Sequence, residues 1–536
     1  MRTGGLRRRV GNPLLPVRPP RGCLPSVSDT TGGDVARILS IDEGTTGVRG
    51  VIVDEQGTLL GSGYREFTQH FPRPGWVEHD ATEIWDATLA ACREALDTTD
   101  TAPGDVTCVG ITNQRETVVV WDRRSGEPIH NAIVWQDRRT AGHCDQLRDA
   151  GHVDRIRRTT GLVVDAYFSG TKLAWLLDNV DGARDRAAAG DLAFGTMDTW
   201  LCWQLSGGRA HVTEPSNACR TMLWDVRNDR WSDEMQALLD VPRSMLPEAR
   251  DSSGDIAHTD PDAFLGIDAP ITGIGGDQQS ALFGQGCWTP GTSKNTYGTG
   301  SFLLLNTGDY AANSEHGLLT SVGWRINGET TYVLEGAIFV TGATVQWLRD
   351  GLGIIDSAEE TEALAAQVEP GNEGVYLVPA FVGLGAPHWD SYARGTMVGL
   401  TRGTGRAHFA RAAIEAMAYQ SADVVDLMER ESGQQLVELR VDGGAAANNL
   451  LCQFQADVLD APVLRPAVTE TTVLGAAFLA GLGCGVWSST DELRDAWQLD
   501  RRFEPSMEAG TRDRLLRGWH EAVERSRGWA RVQDEA

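Results

Sequence analysis

The sequence contains very little lysine: Lys172 and Lys294 are the only lysines among 48 Lys and Arg residues. A Walker A phosphate loop requires the tripeptide Gly-Lys-Ser/Thr, but Lys172 follows Thr171 and Lys294 follows Ser293. Neither lysine lies in a Val-Ala-Ile-Lys type of strand, and no His-Arg-Asp loop is present, so the protein-kinase pattern is excluded as well. Any nucleotide site must therefore have another design.

The sequence also lacks paired cysteines, long apolar runs and an excess of positive charge. Nine cysteines occur without a Cys-x-x-Cys pair or a Cys/His cluster at zinc spacing, which predicts reduced thiols. No apolar run reaches the roughly 18 residues of a membrane span. The formal net charge of -26 argues against nucleic acid or a membrane surface as a partner. We therefore expect a cytoplasmic protein, without membrane insertion, that acts on a small molecule.

Residues 1–35 differ in composition from the rest of the chain. They contain three consecutive arginines from Arg7, four prolines between residues 13 and 20, and no acidic residue before Asp29. This composition is typical of a disordered extension. We therefore leave the segment out of the predicted fold.

Two Gly-rich hairpins are predicted about half a chain apart. The first joins an apolar run at 36–41 to a second run at 49–54 through the polar tip DEGTTG, and the other spans 295–307 with the tip YGTGS. Helical periods occur at 81–96, 167–179, 407–428 and 515–529, so strands and helices alternate as in α/β domains. A chain of 536 residues is long for one core. We therefore expect two similarly built lobes that face a cleft, with the ATP phosphates between the two tips.

A third Gly-rich turn, Asp442-Gly443-Gly444-Ala445, follows an alternating strand at 436–441. It precedes a predicted helix at 448–459. Backbone N–H groups and the helix dipole both favour an anion or a nucleotide edge at such a position.

Two longer stretches carry a family resemblance: YFSGTKLAW at 167–175, and GTMVGL at 395–400 followed by RAAIE at 411–415. They resemble the signatures of the FGGY family of sugar and polyol kinases, within the actin-like superfamily. The resemblance covers about residues 36–487 and implies an α/β fold of two actin-like (ribonuclease H-like) domains with a nucleotide cleft between them. The implied division is an N-terminal domain that binds the polyol and carries the first phosphate loop, a C-terminal nucleotide-binding domain, and a C-terminal helical cap, at 36–285, 286–495 and 496–536.

Shorter stretches, NQRET at 113–117, IVWQ at 133–136 and GDQQ at 276–279, resemble the acceptor pocket of family members that phosphorylate glycerol. The resemblance therefore implies that ATP phosphorylates glycerol to sn-glycerol 3-phosphate, in glycerol catabolism. The residues implied to face the hydroxyls are Arg115, Glu116, Tyr167, Asp277 and Gln278, with Trp135 and Phe302 against the carbon face. These residue types suit a triol, because a selective pocket needs converging polar groups and an aromatic wall.

Asp277 is the candidate general base. An alcohol that attacks a phosphoryl group must lose its proton as the new bond forms, and a carboxylate within hydrogen-bond reach can accept it. Asp277 follows a short apolar strand and two glycines, which allow a substrate to approach closely.

The remaining implied residues bind the nucleotide and its metal. The resemblance places Thr45, Thr46, Gly47 and Arg49 at the phosphates from one lobe and Thr299 from the other, with Asp42 in the Mg²⁺ shell. The nucleoside side of ATP is lined in this interpretation by Gly342, Gln346, Gly444 and Asn448.

Three residues depart from the family pattern. Glu43 stands where glutamine is common, Gly47 where serine is common, and Ala166 where proline is usual. We expect Glu43 either to be offset by the metal or to point away from ATP. The departures leave open a kinase of another polyol or sugar on the same fold, and a non-catalytic actin-like ATPase is a further alternative. The resemblance also suggests a homodimer or homotetramer, but no loop for binding fructose 1,6-bisphosphate is recognisable at 252–269.

Overall fold

A computed structural model describes residues 35–531. The segment predicted to be disordered, 1–35, lies outside these residues except for Val35. The strands of the described part, in chain order, are β1 Ile38–Glu43, β2 Gly47–Val53, β3 Leu59–Glu66, β4 Glu78–His79, β5 Cys108–Asn113, β6 Val119–Asp122, β7 Ala132–Ile133, β8 Leu192–Gly195, β9 Val212–Thr213, β10 Trp224–Asp225, β11 Arg230–Trp231, β12 Glu248–Ala249, β13 Ser253–His258, β14 Pro270–Gly276, β15 Thr292–Tyr297, β16 Ser301–Gly308, β17 Leu319–Ile326, β18 Glu329–Ile338, β19 Tyr376–Val378, β20 Thr396–Val398, β21 Glu438–Asp442, β22 Val463–Pro466 and β23 Leu499–Phe503.

Helices connect these strands. In chain order they are α1 Ala81–Thr98, α2 Ala141–Asp149, α3 Val153–Thr160, α4 Ser169–Asn179, α5 Ala183–Ala189, α6 Met197–Leu205, α7 Pro215–Ala218, α8 Asp233–Leu239, α9 Asp277–Gly284, α10 Gly342–Gln346, α11 Glu360–Ala365, α12 Arg406–Ser432, α13 Asn449–Leu459, α14 Thr471–Cys484, α15 Thr490–Ala496 and α16 Ala509–Ser526. Shorter turns of 3₁₀ or π-helix lie at Pro103–Asp105, Cys219–Thr221, Arg243–Met245, Trp347–Gly351, Asn372–Gly374 and Gly444–Ala447.

A 13-stranded sheet in the described chain has two halves that repeat one topology. Its order is β23-β22-β21-β15-β16-β18-β17-β13-β14-β5-β1-β2-β3. In the N-terminal half, β1 pairs antiparallel with β2 and parallel with β5, and β5 pairs parallel with β14. In the C-terminal half, β15 pairs antiparallel with β16 and parallel with β21, and β21 pairs parallel with β22. Both predicted hairpins are confirmed, and the halves meet at one residue pair, Ser253 and Ile326.

Strand β1 of the N-terminal half is buried on both faces. Leu39 and Ile41 of β1 pack in one buried cluster, whereas Ile38 packs in a cluster on the opposite face with Phe478 and Leu479 of α14. This alternation follows from the two-residue period of a strand. Helices cover both faces, α1 in the first cluster and α14 in the second, as expected where the neighbouring strands β14, β5 and β1 run parallel.

Helix α14 comes late in the chain but packs closely on the N-terminal half. A Cβ atom at Gly110 of β5 would lie 2.4 Å from the Ala476 carbonyl oxygen, and one at Gly273 of β14 would lie 2.2 Å from the Ala480 nitrogen. Only glycine allows this approach. The hydroxyl of Thr272 donates a hydrogen bond of 2.8 Å to the Ala480 carbonyl. Helix α14 thus joins the two halves.

Replacing Gly475 with Ala is expected to destabilise the fold. Helices α9 and α14 cross at this glycine, where an added Cβ would lie 1.8 Å from the Ser280 carbonyl oxygen. Overpacking of this kind costs about 1–3 kcal/mol, so the urea midpoint, measured by tryptophan fluorescence, should fall. Gly510 of α16 has no atom within 4 Å of its Cβ position, so Gly510→Ala is the matched control. Equal midpoints for the two variants would contradict this account of the helix crossing.

Two expectations about local structure need correction. The segment 496–536 was expected to be a helical cap, but it also contains β23, which pairs antiparallel with β22 at the edge of the sheet. The helix expected from Tyr167 begins at Ser169. The helix expected at 448–459 is confirmed as α13, with a 3₁₀ turn at Gly444–Ala447 before it. No helix within residues 35–531 has the length and apolar character needed to span a bilayer.

Candidate active site

The candidate catalytic residues lie at the carboxyl ends of three neighbouring parallel strands. Asp42 of β1 is opposite Thr112 of β5, and Gly276 of β14 is opposite Asn113. Arg115 follows β5 by two residues, and Asp277 is the first residue of α9. Since carboxyl ends of parallel strands meet at one edge, the sheet brings Asp42, Arg115 and Asp277 together.

Arg115 is the centre of a buried ion network that crosses from one half of the sheet to the other. Its guanidinium donates two hydrogen bonds to Glu335 of β18, Nη1 to Oε2 at 2.7 Å and Nη2 to Oε1 at 3.0 Å. Its Nε lies 3.1 Å from Asp277 Oδ1. The side chain of Asp277 is 34% exposed, whereas those of Arg115 and Glu335 are 2% and 1% exposed. Asp277 is therefore the most exposed member of this group.

A second arginine completes the network. Arg220 donates from Nε to Glu116 Oε1 at 2.5 Å, and from Nη1 to Glu335 Oε2 at 3.3 Å. Its guanidinium also lies 5.5 Å from the ring centroid of Tyr167. Sequence reasoning identified Arg115, Glu116 and Tyr167 but not Arg220 or Glu335.

Charges within the network determine the protonation of its carboxylates. Burial acts to raise the pKa of Glu335, but Arg115 and Arg220 outweigh it and lower the pKa to about 2. Burial raises the pKa of Glu116, although Arg220 and Arg115 act against it. Glu335 is therefore a fixed negative charge that holds both arginines.

Both lysines of the chain are buried and hold site residues in place. Lys294 of β15 donates to Gln278 Oε1 at 2.5 Å and to Thr296 Oγ1 at 2.8 Å. Lys172 donates to the backbone carbonyls of Tyr167 and Phe168, just before α4. These roles depend on tertiary contacts and so could not be predicted from the residues next to each lysine.

Aromatic residues connect the first hairpin tip to the ion network. Trp135 donates from Nε1 to Thr45 Oγ1 at 2.9 Å, and its ring packs edge-on against Tyr167 at a centroid distance of 5.5 Å. Phe302 of β16 is partly buried and packs against the apolar cluster beneath α14. Its place in an acceptor pocket stays a prediction.

A cavity of about 380 Å³ lies in the C-terminal half. Thr299, predicted at the phosphates, lines it, together with the four residues predicted for the nucleoside side, Gly342, Gln346, Gly444 and Asn448. A Cβ at Gly342 would lie 2.4 Å from the Gly298 carbonyl oxygen, so the close turn requires glycine. Asn448 accepts a hydrogen bond from the Leu451 N–H at 3.0 Å and so caps α13. Sequence reasoning missed Arg349, Glu359 and Met417, which also line the cavity.

A second cavity, of about 340 Å³, lies beside the first hairpin tip and is here called the tip cavity. The predicted residues among those that line it are Asp42, Thr46, Gly47 and Arg49. Glu470, which precedes α14, also lines it, and its Oε1 lies 3.7 Å from Arg49 Nη1. Burial, followed by the charge of Asp277, raises the pKa of Asp42 to about 7, while Arg49 acts in the opposite direction.

Glu43 points away from the tip cavity. Successive side chains of a strand alternate between faces, so Glu43 lies opposite to Asp42. Its carboxyl is buried and accepts a hydrogen bond from Gln114 Nε2 at 2.7 Å. Burial raises the pKa of Glu43 well above its usual range, which favours the neutral acid. Of the two expectations for Glu43, the structure therefore favours the one in which it points away.

A larger cavity, of about 860 Å³, opens elsewhere on the N-terminal half, and Trp224, Asp229 and Arg243 are among the residues that line it. It includes none of the residues predicted for the site. Its size therefore does not identify it as the catalytic centre.

Comparison with known proteins places these features in a family. Residues 37–284 match the N-terminal domain of the FGGY family of carbohydrate kinases, and residues 293–484 match its C-terminal domain. A glycerol kinase of Dechloromonas aromatica is 60% identical over 493 residues, which cover 92% of this chain and 98% of that protein. A glycerol kinase of Deinococcus radiodurans is 57% identical over 492 residues, with the same coverage.

Solved structures give the same result. The crystal structure of Plasmodium falciparum glycerol kinase with ADP has a TM-score of 0.88 and 35% identity, covering 92% of this chain and 98% of that one. A xylulose kinase from Lactobacillus acidophilus has a TM-score of 0.81 at 21% identity, covering 91% of this chain and 97% of that one, a likeness of fold alone.

Proposed function

The chain belongs to the FGGY family of carbohydrate kinases, and we propose that it phosphorylates glycerol with ATP to give sn-glycerol 3-phosphate and ADP. It is an α/β enzyme with two actin-like domains, a phosphotransferase with an alcohol group as acceptor. The observation that carries the proposal is the position of Asp277: its partly exposed carboxylate lies 3.1 Å from the buried Arg115, at the sheet edge that also carries Asp42. The high identity to glycerol kinases over nearly the full chain supports glycerol as the acceptor.

The acceptor pocket is proposed to lie at the ion network. Arg115 and Glu116 would pair with hydroxyls of glycerol, together with Tyr167 and Gln278. Such a site rejects analogues that lack a hydroxyl, because its own buried polar groups would lose a partner. Trp135 and Phe302 would contact the carbon chain.

Phosphoryl transfer requires a proton acceptor and a fixed geometry. Asp277 would accept the proton of the attacking hydroxyl, and Arg115 would keep the carboxylate oriented by its contact at 3.1 Å. The ATP phosphates would lie in the tip cavity near Thr46, Gly47 and Arg49. The nucleoside would occupy the 380 Å³ cavity.

Mg²⁺ is the metal that we propose to accompany ATP, and the residues fit it. Asp42 lines the tip cavity, and burial together with the charge of Asp277 raises its pKa to about 7. A carboxylate with a second carboxylate nearby suits a divalent cation, and Mg²⁺ is usually held by one or two carboxylates plus substrate phosphates. Asp42 would hold the ion, which when bound would neutralise charge on the phosphates.

Further properties are proposed from the family. We retain the division into 36–285 and 286–495, a cytoplasmic location, and a homodimer or homotetramer. No nucleic acid is proposed as a partner, consistent with the net charge of -26.

The test is ADP release by the purified chain with Mg²⁺ and ATP, with and without glycerol. We expect release that depends on glycerol. Dihydroxyacetone, erythritol and xylulose, assayed in parallel, test for another acceptor. A higher kcat/KM with one of these would indicate a kinase of another polyol or sugar on the same fold. ADP release independent of every acceptor would favour an ATPase switch.

A further inference from the structure

Tyr64 covers the position where the first hairpin tip lacks a side chain. Gly47 of β2 is opposite Glu66 of β3, and Arg49 is opposite Tyr64. Gly47 and Tyr64 are therefore diagonal neighbours on one face of the sheet. A Cβ at Gly47 would lie 2.6 Å from the Tyr64 hydroxyl oxygen. The phenol thus occupies space that any other residue at position 47 would need.

The same face of the sheet carries the proposed phosphate and metal residues. Asp42 is opposite Arg49, and Arg49 is opposite Tyr64, so these three side chains form one row across β1, β2 and β3. All three line the tip cavity. The Arg49 guanidinium lies 5.9 Å from the centroid of the Tyr64 ring. This row brings the phenol of Tyr64 close to the Arg49 guanidinium, which is proposed to bind a phosphate.

Tyr64 is an exposed residue in the lining of the tip cavity. The residue is 42% exposed. Within residues 35–531 the phenol of Tyr64 makes no hydrogen bond. Outside the strand pairing, Tyr64 accepts one only at its backbone carbonyl, from Arg65 Nη1 at 2.6 Å. The phenol O–H therefore keeps its donor capacity for a bound molecule.

We propose that the Tyr64 hydroxyl is a phosphate-binding group of the tip cavity and donates a hydrogen bond to the polyphosphate of the bound nucleotide. The proposal rests on the proposed function, because it needs the nucleotide phosphates in this cavity. A phenol is neutral at pH 7 and donates to a phosphate oxygen without adding charge beside Arg49. A hydrogen bond to a charged group is stronger than one between neutral groups. Tyr64 would thereby supply the side-chain contact that Gly47 cannot make.

The test compares Tyr64→Phe with the full-length wild-type protein by calorimetric titration with ADP, ATP and adenosine. This substitution removes one oxygen and leaves the ring over Gly47. We expect Kd for ADP or ATP to rise about tenfold, the usual size for a hydrogen bond to a charged partner, with Kd for adenosine unchanged. In the kinase assay KM for ATP should rise while KM for glycerol stays the same.

The matched control is Tyr310→Phe, since Tyr310 is 53% exposed and does not line the tip cavity. Unchanged ADP and ATP affinities in Tyr64→Phe would overturn the proposal, and so would an equal loss for adenosine, which would indicate a structural effect. If the wild-type protein bound neither nucleotide, the proposed function would fail first, and that result is distinct from a defect confined to the variant.

Discussion

Asp277→Asn is expected to lower kcat by about 100-fold or more, the usual contribution of a general base, while glycerol binding stays measurable. Asparagine has nearly the same shape but cannot accept the proton of the attacking hydroxyl. The fold should persist, because Arg115 keeps its two hydrogen bonds to Glu335 when it loses the contact with Asp277. The measurement is steady-state ADP release at saturating ATP, combined with calorimetric titration of glycerol.

The matched control for this variant is Asp268→Asn. It makes the same chemical change at a carboxylate that is 75% exposed and paired only with His258, at 3.5 Å, among the described residues. We expect its kcat to equal that of the wild-type protein. Turnover of Asp277→Asn within a few-fold of the control would remove the proposed proton acceptor and leave positioning as the main catalytic effect.

Local patterns were sufficient to predict much of the architecture. The hairpins at β1–β2 and β15–β16 were predicted because each consists of apolar runs around a polar, glycine-rich tip, and neighbouring residues determine such structures. The helices at 81–98 and 406–432 were identified from their period for the same reason. Strand β23 was missed because its Arg- and Glu-rich segment was interpreted as helical. The strand forms by pairing with β22, which the local pattern does not indicate.

The ion network was only partly predictable. Arg115 and Glu116 belong to a short motif, but Glu335 is 220 residues from Arg115 and lies in an ordinary strand. Its function arises only when the folded sheet brings the side chain of Glu335 on β18 within reach of Arg115, which follows β5. Arg220 was hidden for the same reason, since it pairs with Glu116 across 104 residues. A buried acidic residue within a strand of alternating apolar residues is the signal that could have identified Glu335.

Strand geometry also clarified two departures from the family pattern. Glu43 stands where glutamine is common, and Gly47 lacks the hydroxyl of the serine that is common there. The alternation of β1 turns Glu43 away from Asp42, and the pairing of β2 with β3 places Tyr64 over Gly47. Neither effect can be inferred from the two residues alone, because each depends on the face that the side chain occupies.

Glu335→Gln is expected to lower the free energy of unfolding by about 3–5 kcal/mol, the cost of breaking a buried ion pair by removing one partner. A glutamine amide has one acceptor oxygen where Glu335 has two, so at least one of the three hydrogen bonds from Arg115 and Arg220 would face its NH₂ group. Among the described residues, Arg115 would keep only Asp277 as a counter-charge, and Arg220 would keep only Glu116. KM for glycerol should also rise because Arg115 loses its orientation. The measurement is the urea midpoint by tryptophan fluorescence at pH 7.

The matched control and the pH dependence distinguish this buried pair from a surface pair. Glu234 pairs with Arg155 at 2.6 Å, but its side chain is 50% exposed, so Glu234→Gln should change stability by less than about 1 kcal/mol. The pKa of Glu335 is lowered from 4.5 to about 2, so its stabilisation is complete above pH 4.5 and is lost as pH falls towards 2. The stability gap between wild type and Glu335→Gln should therefore narrow over that range. A gap that is constant with pH, or one no larger than that of Glu234→Gln, would show that Glu335 does not hold the two arginines as the structure indicates.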